Sequence, residues 1–205
     1  SDFNIKRLDL IIKKAKQIKK NPKKFETKCK NKTIGMIFQK ESTRTRVSFA
    51  VGINKLGGNA LELNTDSIGF GKRESIQDIF KTLSQFIDLL IIRNNDHNLI
   101  KNLANLNIMP IINGLSDYSH PCQILSDMLT INENIGDIKN KTISWIGDYN
   151  NVLRSLIELQ KLYKFRLNIV MPKQIIKKTN TKKINKNNTN LNITDNIKEG
   201  VKYAN

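Results

Sequence analysis

The sequence predicts an α/β protein of two domains, each built on a parallel sheet flanked by helices. Short apolar segments alternate with segments of helical periodicity along most of the 205 residues. Residues 33–38 (TIGMIF) and 88–92 (DLLII) are almost wholly apolar, which is typical of strands buried on both faces. Such strands joined by helices favour a parallel sheet covered on both sides. A polar break at 139–141, followed by a new strand pattern, indicates the start of a second sheet.

The first half of the chain alternates helix and strand. Its opening segment has one apolar stripe at helical spacing, with lysines on the other face. We expect this helix to pack on its own domain, since lying on a membrane surface is the rarer use of such a helix. In chain order the predicted elements are a helix over 2–20, a strand over 33–38, a helix over 47–56 capped by Ser42 or Thr43, a strand over 60–63, a glycine-containing loop over 65–73, a helix over 74–86, a strand over 88–92, a helix over 97–106, a strand over 109–112, a loop over 114–119 and a helix over 123–132.

The second half repeats the alternation. The stretch 173–190, rich in Lys, Asn and Thr, is predicted to be a loop or a poor, exposed helix. We place the domain boundary so that residues 1–134 form the first domain and residues 135–205 belong to the second. The predicted elements are a strand over 142–146, a glycine turn over 147–151 that lacks the GxGxxG pattern, a helix over 152–163, a strand over 167–171, a strand over 191–193 and a helix over 195–203.

Composition argues against several classes of function. The net charge of +17 suggests nucleic acid, but the lysines are scattered and the aromatic residues, 6% of the chain, do not interleave with them. No apolar run is long enough to span a membrane, and no secretory signal is visible. Cys29 and Cys122 make no disulfide framework, and with two histidines we expect neither a metal nor a cofactor. These features predict a soluble cytoplasmic protein with no nucleic-acid or membrane partner.

The most informative stretch is Phe38–Phe49, which contains Ser42-Thr43-Arg44-Thr45-Arg46 between a strand and a helix. The N-terminus of a helix offers unpaired backbone N–H groups and a partial positive charge, both of which favour an anion. Hydroxyl and guanidinium donors in the same turn favour a phosphate. The alternative is a capped helix with solvated arginines, because capping residues are common.

Two further polar segments follow predicted strands. Arg93 stands at the end of 88–92, and the segment Ser116–Gln123 comes after the strand over 109–112. In a parallel sheet the carboxyl ends of the strands lie along one edge, where ligands bind. The topology therefore predicts that the turn after Phe38, Arg93 and the segment Ser116–Gln123 meet along that edge.

The motif Ser42-Thr43-Arg44-Thr45-Arg46, with His120-Pro121-Cys122-Gln123 downstream, resembles the two signatures of the aspartate and ornithine carbamoyltransferases. The sequence of Ile112–Asp117 also resembles the ornithine branch of this family. The resemblance covers nearly all of the chain, although a full-length family member is considerably longer. It implies transfer of the carbamoyl group of carbamoyl phosphate to the side-chain amine of L-ornithine, giving L-citrulline and phosphate in arginine biosynthesis, by a homotrimer that needs no cofactor. Under this resemblance, residues 1–134 form the carbamoyl phosphate-binding domain and residues 135–205 the first part of the ornithine-binding domain.

The resemblance also implies roles for individual residues. Ser42, Thr43, Arg44 and Thr45 hold the phosphate. Arg93 and His120, with Thr45, polarise the carbonyl oxygen and are the catalytic candidates. Gln123 orients the carbamoyl amide, to which it can offer both a donor and an acceptor.

Three neighbouring residues receive plainer interpretations. Arg46 is expected to form a structural salt bridge. His97 is interpreted as a surface residue at a helix start. Cys122 is interpreted as a packing residue, because no base is placed to generate a thiolate.

On the acceptor side, Asn151 resembles the residue that binds the α-carboxylate and amine end of ornithine, although the pair Asn150-Asn151 is equally compatible with a helix cap. Gly69 stands where the family places a polar side chain that reaches into a neighbouring subunit, which puts that contact in doubt. The later ornithine-side motifs of the family are not among these 205 residues. We therefore expect the chain by itself to bind carbamoyl phosphate weakly and to lack turnover. The alternatives are a non-catalytic carbamoyl phosphate-binding remnant and a transferase acting on another amine, such as aspartate.

Overall fold

The computed structural model describes residues 3–39, 42–65, 74–179 and 188–204. Within these ranges the backbone forms helices and strands in regular alternation. In chain order they are α1 (Ile5–Lys20), β1 (Thr33–Phe38), α2 (Thr43–Lys55), β2 (Asn59–Leu63), α3 (Ile76–Leu83), β3 (Leu89–Arg93), α4 (His97–Asn105), β4 (Ile111–Leu115), α5 (Pro121–Asn134), β5 (Thr142–Ile146), α6 (Asn151–Tyr163), β6 (Arg166–Val170), α7 (Lys173–Lys178), β7 (Leu191–Thr194) and α8 (Ile197–Val201), with short 3-10 helices at Pro22–Phe25 and Ile138–Asn140.

The strands form two parallel sheets, which confirms the predicted fold class. The first has four strands in the order β2-β1-β3-β4, and the second has three in the order β5-β6-β7. The chain divides into two compact units, one comprising Lys14–Cys122 and the other Ser1–Lys13 together with Gln123–Asn205.

The first sheet is covered on both faces because its strands are apolar at consecutive positions. Met36 and Ile91 face the side on which α2 contributes Ile53. Ile37 and Ile92, one position further along, belong to the opposite cluster, which contains side chains of α3 and α4. Side chains of a strand alternate between faces, so each apolar strand supplies both layers.

The second sheet has its own core, in which Leu167 and Ile169 of β6 are fully buried with Leu153 of α6. The beginning of α1 belongs to this unit: Leu8 and Ile12 lie in the same apolar cluster. The hydroxyl of Tyr163 donates a 2.6 Å hydrogen bond to Asp9. Of the apolar stripe predicted for the first helix, Leu8 and Ile12 are thus buried in the core of the second sheet, and not in the domain on which the helix was expected to pack. None of the helices within the described ranges combines the length and the apolarity needed to cross a membrane.

Most predicted elements are present, and three of them need comment. α2 begins at Thr43, directly after Ser42, one of the two predicted capping residues, so the phosphate motif itself forms the first helical turn. β4 begins two residues later than predicted and continues through Asn113 and Gly114 to Leu115. The predicted loop or helix over 173–190 contains the short α7, while residues 180–187 lie outside the described ranges.

Two glycines that follow helices provide a matched test of packing in this fold. Gly57 after α2 and Gly136 after α5 both have positive φ, +82° and +93°. A Cβ on Gly57 would collide with the carbonyl oxygen of Glu26, whereas a Cβ on Gly136 would meet no described atom within 4 Å.

We expect Gly136→Ala to lower the free energy of unfolding by about 1 kcal/mol, from backbone strain alone. Gly57→Ala adds a collision with backbone and should cost at least about twice as much. Urea denaturation followed by circular dichroism measures both. Equal losses in the two variants would contradict the close approach of Gly57 to the segment around Glu26.

Candidate functional site

The turn between β1 and α2 contains the predicted phosphate-binding residues. β1 ends at Phe38 opposite Arg93 of β3, and the N–H of Gln39 donates to the Arg93 carbonyl oxygen at 3.0 Å. Ser42 precedes the first residue of α2. The residues that precede α3, α4 and α6 accept hydrogen bonds from the first helical turn through their side chains, whereas the Ser42 side chain makes no capping bond in the described structure. The first turn of α2 also carries no acidic residue.

Arg93 bonds to the Ser42 side chain. Its Nη1 donates to Ser42 Oγ at 2.9 Å and to Thr45 Oγ1 at 3.1 Å. The Nε atom of Arg93 is buried and has no hydrogen-bond partner within the described ranges. A guanidinium has five N–H donors, and hydrogen bonds from a charged donor are stronger than neutral ones. Arg93 therefore fixes two hydroxyl groups of the turn while keeping a buried donor for another acceptor.

The other residues of the motif are more exposed. Thr43 and Arg44, in the first turn of α2, are both exposed. Arg46 forms a salt bridge with Glu62 of β2, with 3.0 Å between Nη1 and Oε1. This confirms the structural interpretation of Arg46. Both side chains are about half exposed, 44% and 51%, so the pair contributes little to stability.

β4 enters the site through a β-bulge. Ile92 lies opposite Asn113, but the next residue, Arg93, lies opposite Leu115, so Gly114 is the extra residue. Bulges redirect a strand locally and are frequent beside functional sites. Asn113 and Gly114 therefore belong to the strand, although the sequence pattern placed the loop at Gly114.

The segment that follows β4 is a tight turn from Ser116 to Ser119. The Ser116 N–H donates to the Ser119 carbonyl oxygen at 2.9 Å, and the Ser119 N–H donates to Ser116 Oγ at 3.1 Å. Asn113 Nδ2 donates to Ser119 Oγ at 3.0 Å. His120 follows this turn, is half-buried, and precedes Pro121, the first residue of α5. Sequence analysis placed the segment that begins with Ser116 at this edge but gave Ser116 no role of its own, and it missed Asn113, which lies within β4.

The interpretation of His97 as a surface residue is wrong. Its ring is half-buried, with Nδ1 2.9 Å from Ser116 Oγ and its centroid 5.0 Å from that of Tyr118. Burial lowers the pKa of His97, the charge of Lys101 lowers it further, and Asp117 and Asp96 act in the opposite direction. The periodicity of α4 could not reveal this contact, because its partner lies in the turn after another strand.

The first turn of α5 contains the remaining predicted residues of the second motif. Gln123 is exposed and donates from Nε2 to Asp127 Oδ1 at 2.9 Å, one helical turn away. The Sγ atom of Cys122 lies 3.5 Å from the Asn113 carbonyl oxygen. Burial raises the pKa of the Cys122 thiol to about 11. A thiol that stays protonated at neutral pH fits a packing role better than a nucleophilic one.

In the second unit, the asparagine pair lies at the start of α6. Asn150 is the cap: its Oδ1 accepts from the N–H groups of Val152 and Leu153 at 3.0 and 3.1 Å. Asn151 is the first helical residue and is half-buried. The capping alternative raised for this pair thus applies to Asn150, and the predicted ornithine contact of Asn151 stays a prediction. Gly69 lies outside the described residues, as does most of the loop over 65–73. Among the residues that are described, no group of His, Cys, Asp and Glu could hold a metal ion.

The raised pKa of Cys122 predicts low reactivity. At pH 8 only about one molecule in a thousand would carry the thiolate, compared with a sizeable fraction for an ordinary cysteine. In a Cys29→Ser variant, where Cys122 is the remaining cysteine, alkylation by iodoacetamide should be at least tenfold slower in buffer than in urea. Mass spectrometry measures the rate, and equal rates in the two solvents would show that the thiol is accessible and ionised.

Comparison with known proteins matches both halves of the chain to domains of one family. Residues 1–133 match the family model described as aspartate/ornithine carbamoyltransferase, carbamoyl-P binding domain. Residues 139–205 match the aspartate/ornithine carbamoyltransferase Asp/Orn binding domain.

Curated relatives and solved structures agree with this assignment. The chain is 46% identical over 168 residues to ornithine carbamoyltransferase of Ruthia magnifica subsp. Calyptogena magnifica, covering 81% of this chain and 56% of that protein. It is 48% identical over 141 residues to the Rhizobium meliloti enzyme of that name, covering 69% and 46%. The crystal structure of ornithine carbamoyltransferase from Thermus thermophilus superposes with a TM-score of 0.86 at 32% identity, covering 97% of this chain and 68% of that one. The chain spans about half the length of these curated relatives. On these matches, the chain belongs to the aspartate/ornithine carbamoyltransferase family.

Proposed function

We propose that the first sheet binds carbamoyl phosphate and that the whole protein transfers its carbamoyl group to L-ornithine. The observation that carries the proposal is the bridge from Arg93 to Ser42 and Thr45, which joins the end of β3 to the first turn of α2. It brings a charged donor, two hydroxyl groups and a helix N-terminus together at the carboxyl edge of a parallel sheet. This combination suits a small phosphorylated ligand.

The phosphate group of the ligand is assigned to the start of α2. The backbone N–H groups of the first turn, the hydroxyl groups of Ser42, Thr43 and Thr45, and the guanidinium of Arg44 supply the donors. The Ser42 side chain is bonded to Arg93 instead of capping the helix, so it does not compete for those backbone groups. A phosphate held in this way is also a better leaving group, because donors facing its developing charge stabilise the transition state.

The carbonyl oxygen of the ligand is assigned to Arg93, His120 and Thr45. The buried Nε of Arg93 supports this role, because a guanidinium donor without a partner in the described structure is costly unless an acceptor arrives. The neutral amine of ornithine attacks the carbonyl carbon, the carbon–oxygen bond to phosphate breaks, and the proton lost by the amine leaves with the phosphate. The products are citrulline and phosphate.

Gln123 and Asn151 complete the proposed set. Gln123, in the first turn of α5, would exchange its bond with Asp127 for one with the carbamoyl amide. Asn151 would bind the amino-acid end of ornithine, and its position beside the capping residue Asn150 leaves that role separate from the stability of α6.

By resemblance to the family we also infer a homotrimer for the whole protein, to be tested by sedimentation at micromolar concentration.

Binding of the phosphorylated ligand is tested with matched arginine variants of the 205-residue chain. We expect Arg44→Ala and Arg93→Ala each to weaken the binding of carbamoyl phosphate or a phosphonoacetyl analogue by tenfold or more, about the value of one charged hydrogen bond. Arg46→Ala, which removes an arginine of the same helical turn, should leave affinity nearly unchanged. Calorimetry measures affinity, and circular dichroism checks that each variant is folded. Unchanged affinity in Arg44→Ala or Arg93→Ala would remove that residue from the site.

The transfer reaction is tested on a chain extended to the length of the curated relatives. We expect citrulline from ornithine and no carbamoyl aspartate from aspartate. Asn151→Ala should raise the KM for ornithine more than tenfold with little change in the KM for carbamoyl phosphate, while the cap-preserving Asn150→Ser changes neither. Carbamoyl aspartate as the product would favour the other amine. Binding of carbamoyl phosphate without transfer to any amine would favour a non-catalytic binding protein.

A further inference from the structure

Ser116 is a polar residue in a fully buried position, with a relative exposure of 0%. Its backbone and side chain close the turn that precedes His120, through Ser119 at 2.9 and 3.1 Å. A buried hydroxyl needs partners, because leaving it without them costs about 1–3 kcal/mol. One partner comes from outside the turn: His97 Nδ1, at 2.9 Å.

His97 connects this turn to the segment that follows Arg93. It is the first residue of α4, which is capped by Asp96, and it lies four positions after the end of β3. Two backbone hydrogen bonds run alongside, from Asn94 N–H to the Leu115 carbonyl at 3.2 Å and from Asp117 N–H to the Asn95 carbonyl at 3.0 Å. The turn before His120 is therefore attached to the segment after β3 by backbone and by side chain.

A neutral His97 ring satisfies the hydrogen bonds of Ser116 in either tautomer. Ser116 Oγ accepts from the Ser119 N–H at 3.1 Å and lies 2.9 Å from His97 Nδ1 and 3.3 Å from the Ser119 carbonyl oxygen. A ring protonated at Nε2 accepts from Oγ, and a ring protonated at Nδ1 donates to Oγ, whose own proton then goes to the Ser119 carbonyl oxygen. Burial lowers the pKa of His97, and the positive charge of Lys101 lowers it further, so both favour the same neutral form. The carboxylates of Asp117 and Asp96 act in the opposite direction and raise the pKa.

We propose that His97 and Ser116 are positioning residues that hold the turn Ser116–Ser119 and thereby set the orientation of His120. The effect passes along the chain, since Ser119 and His120 are adjacent, and neither His97 nor Ser116 needs to touch the ligand. The consequence for carbamoyl phosphate affinity rests on the proposed function. The effect on the His120 ring itself does not.

The experiment uses the two histidines of the chain as probes. NMR of the imidazole Cε1–H groups gives one signal for each, and His97→Phe leaves only that of His120. His97→Phe keeps a ring against Tyr118 but removes the hydrogen bond to Ser116. Ser116→Ala removes the same hydrogen bond by deleting the hydroxyl. His97→Gln restores an acceptor for Ser116. Asn98→Gln, at the next and exposed position of α4, is the control.

We expect His97→Phe and Ser116→Ala to shift or broaden the His120 signal in the free protein and to weaken carbamoyl phosphate binding by about three- to tenfold. His97→Gln should restore most of both, and Asn98→Gln should change neither. If the wild-type chain fails to bind carbamoyl phosphate, the proposed function fails, while the His120 signal still tests the positioning pair. An unchanged His120 signal in folded His97→Phe overturns the proposal, even where thermal stability falls, because a merely structural contact would give that result.

Discussion

The two hydrogen bonds from Arg93 to Ser42 and Thr45 are the constraint on which the candidate site depends. They tie the last residue of a central strand to the first turn of the neighbouring helix. Ser42, the residue before α2, accepts from the guanidinium and makes no side-chain capping bond in the described structure. The residues before α3, α4 and α6 cap their helices through their side chains, which distinguishes α2 from these three helices.

Parallel topology explains why distant residues meet at this edge. β1 and β3 are neighbours in the sheet, with Phe38 opposite Arg93, so the turn after one strand lies beside the end of the other. β4 lies on the far side of β3 and adds the turn that leads to His120. The fold class and this convergence were both predictable, because buried parallel strands have a clear apolar pattern and their carboxyl ends share one edge.

The details that sequence reasoning missed are local deviations from regular geometry. β4 continues through Asn113 and the bulge at Gly114. Sequence analysis ended the strand earlier because it looked for apolar residues, and neither of these two residues is a large apolar one. The contact of His97 depends on where the turn after β4 places Ser116, and periodicity within α4 carries no information about that. Sequence analysis left Ser42 and Thr43 as alternatives for the residue before α2, and the structure has Ser42 there, bonded to Arg93 about fifty positions away in the chain. Roles that depend on a ligand, such as that of Asn151, remain predictions tied to the family.

The sequence separation within the Arg93 bridge has a consequence for how the protein folds. Arg93 is 51 positions from Ser42 and 48 positions from Thr45. The contact therefore does not exist until β1 and β3 have paired. A chain in which these strands are unpaired lacks the bridge, although Ser42, Thr43, Arg44 and Thr45 are neighbours in the sequence. Ligand affinity is then a measure of sheet assembly, and a ligand that binds only the assembled edge shifts the folding equilibrium toward it. Substitutions far from the edge that loosen strand pairing would therefore appear in a binding assay as losses of affinity.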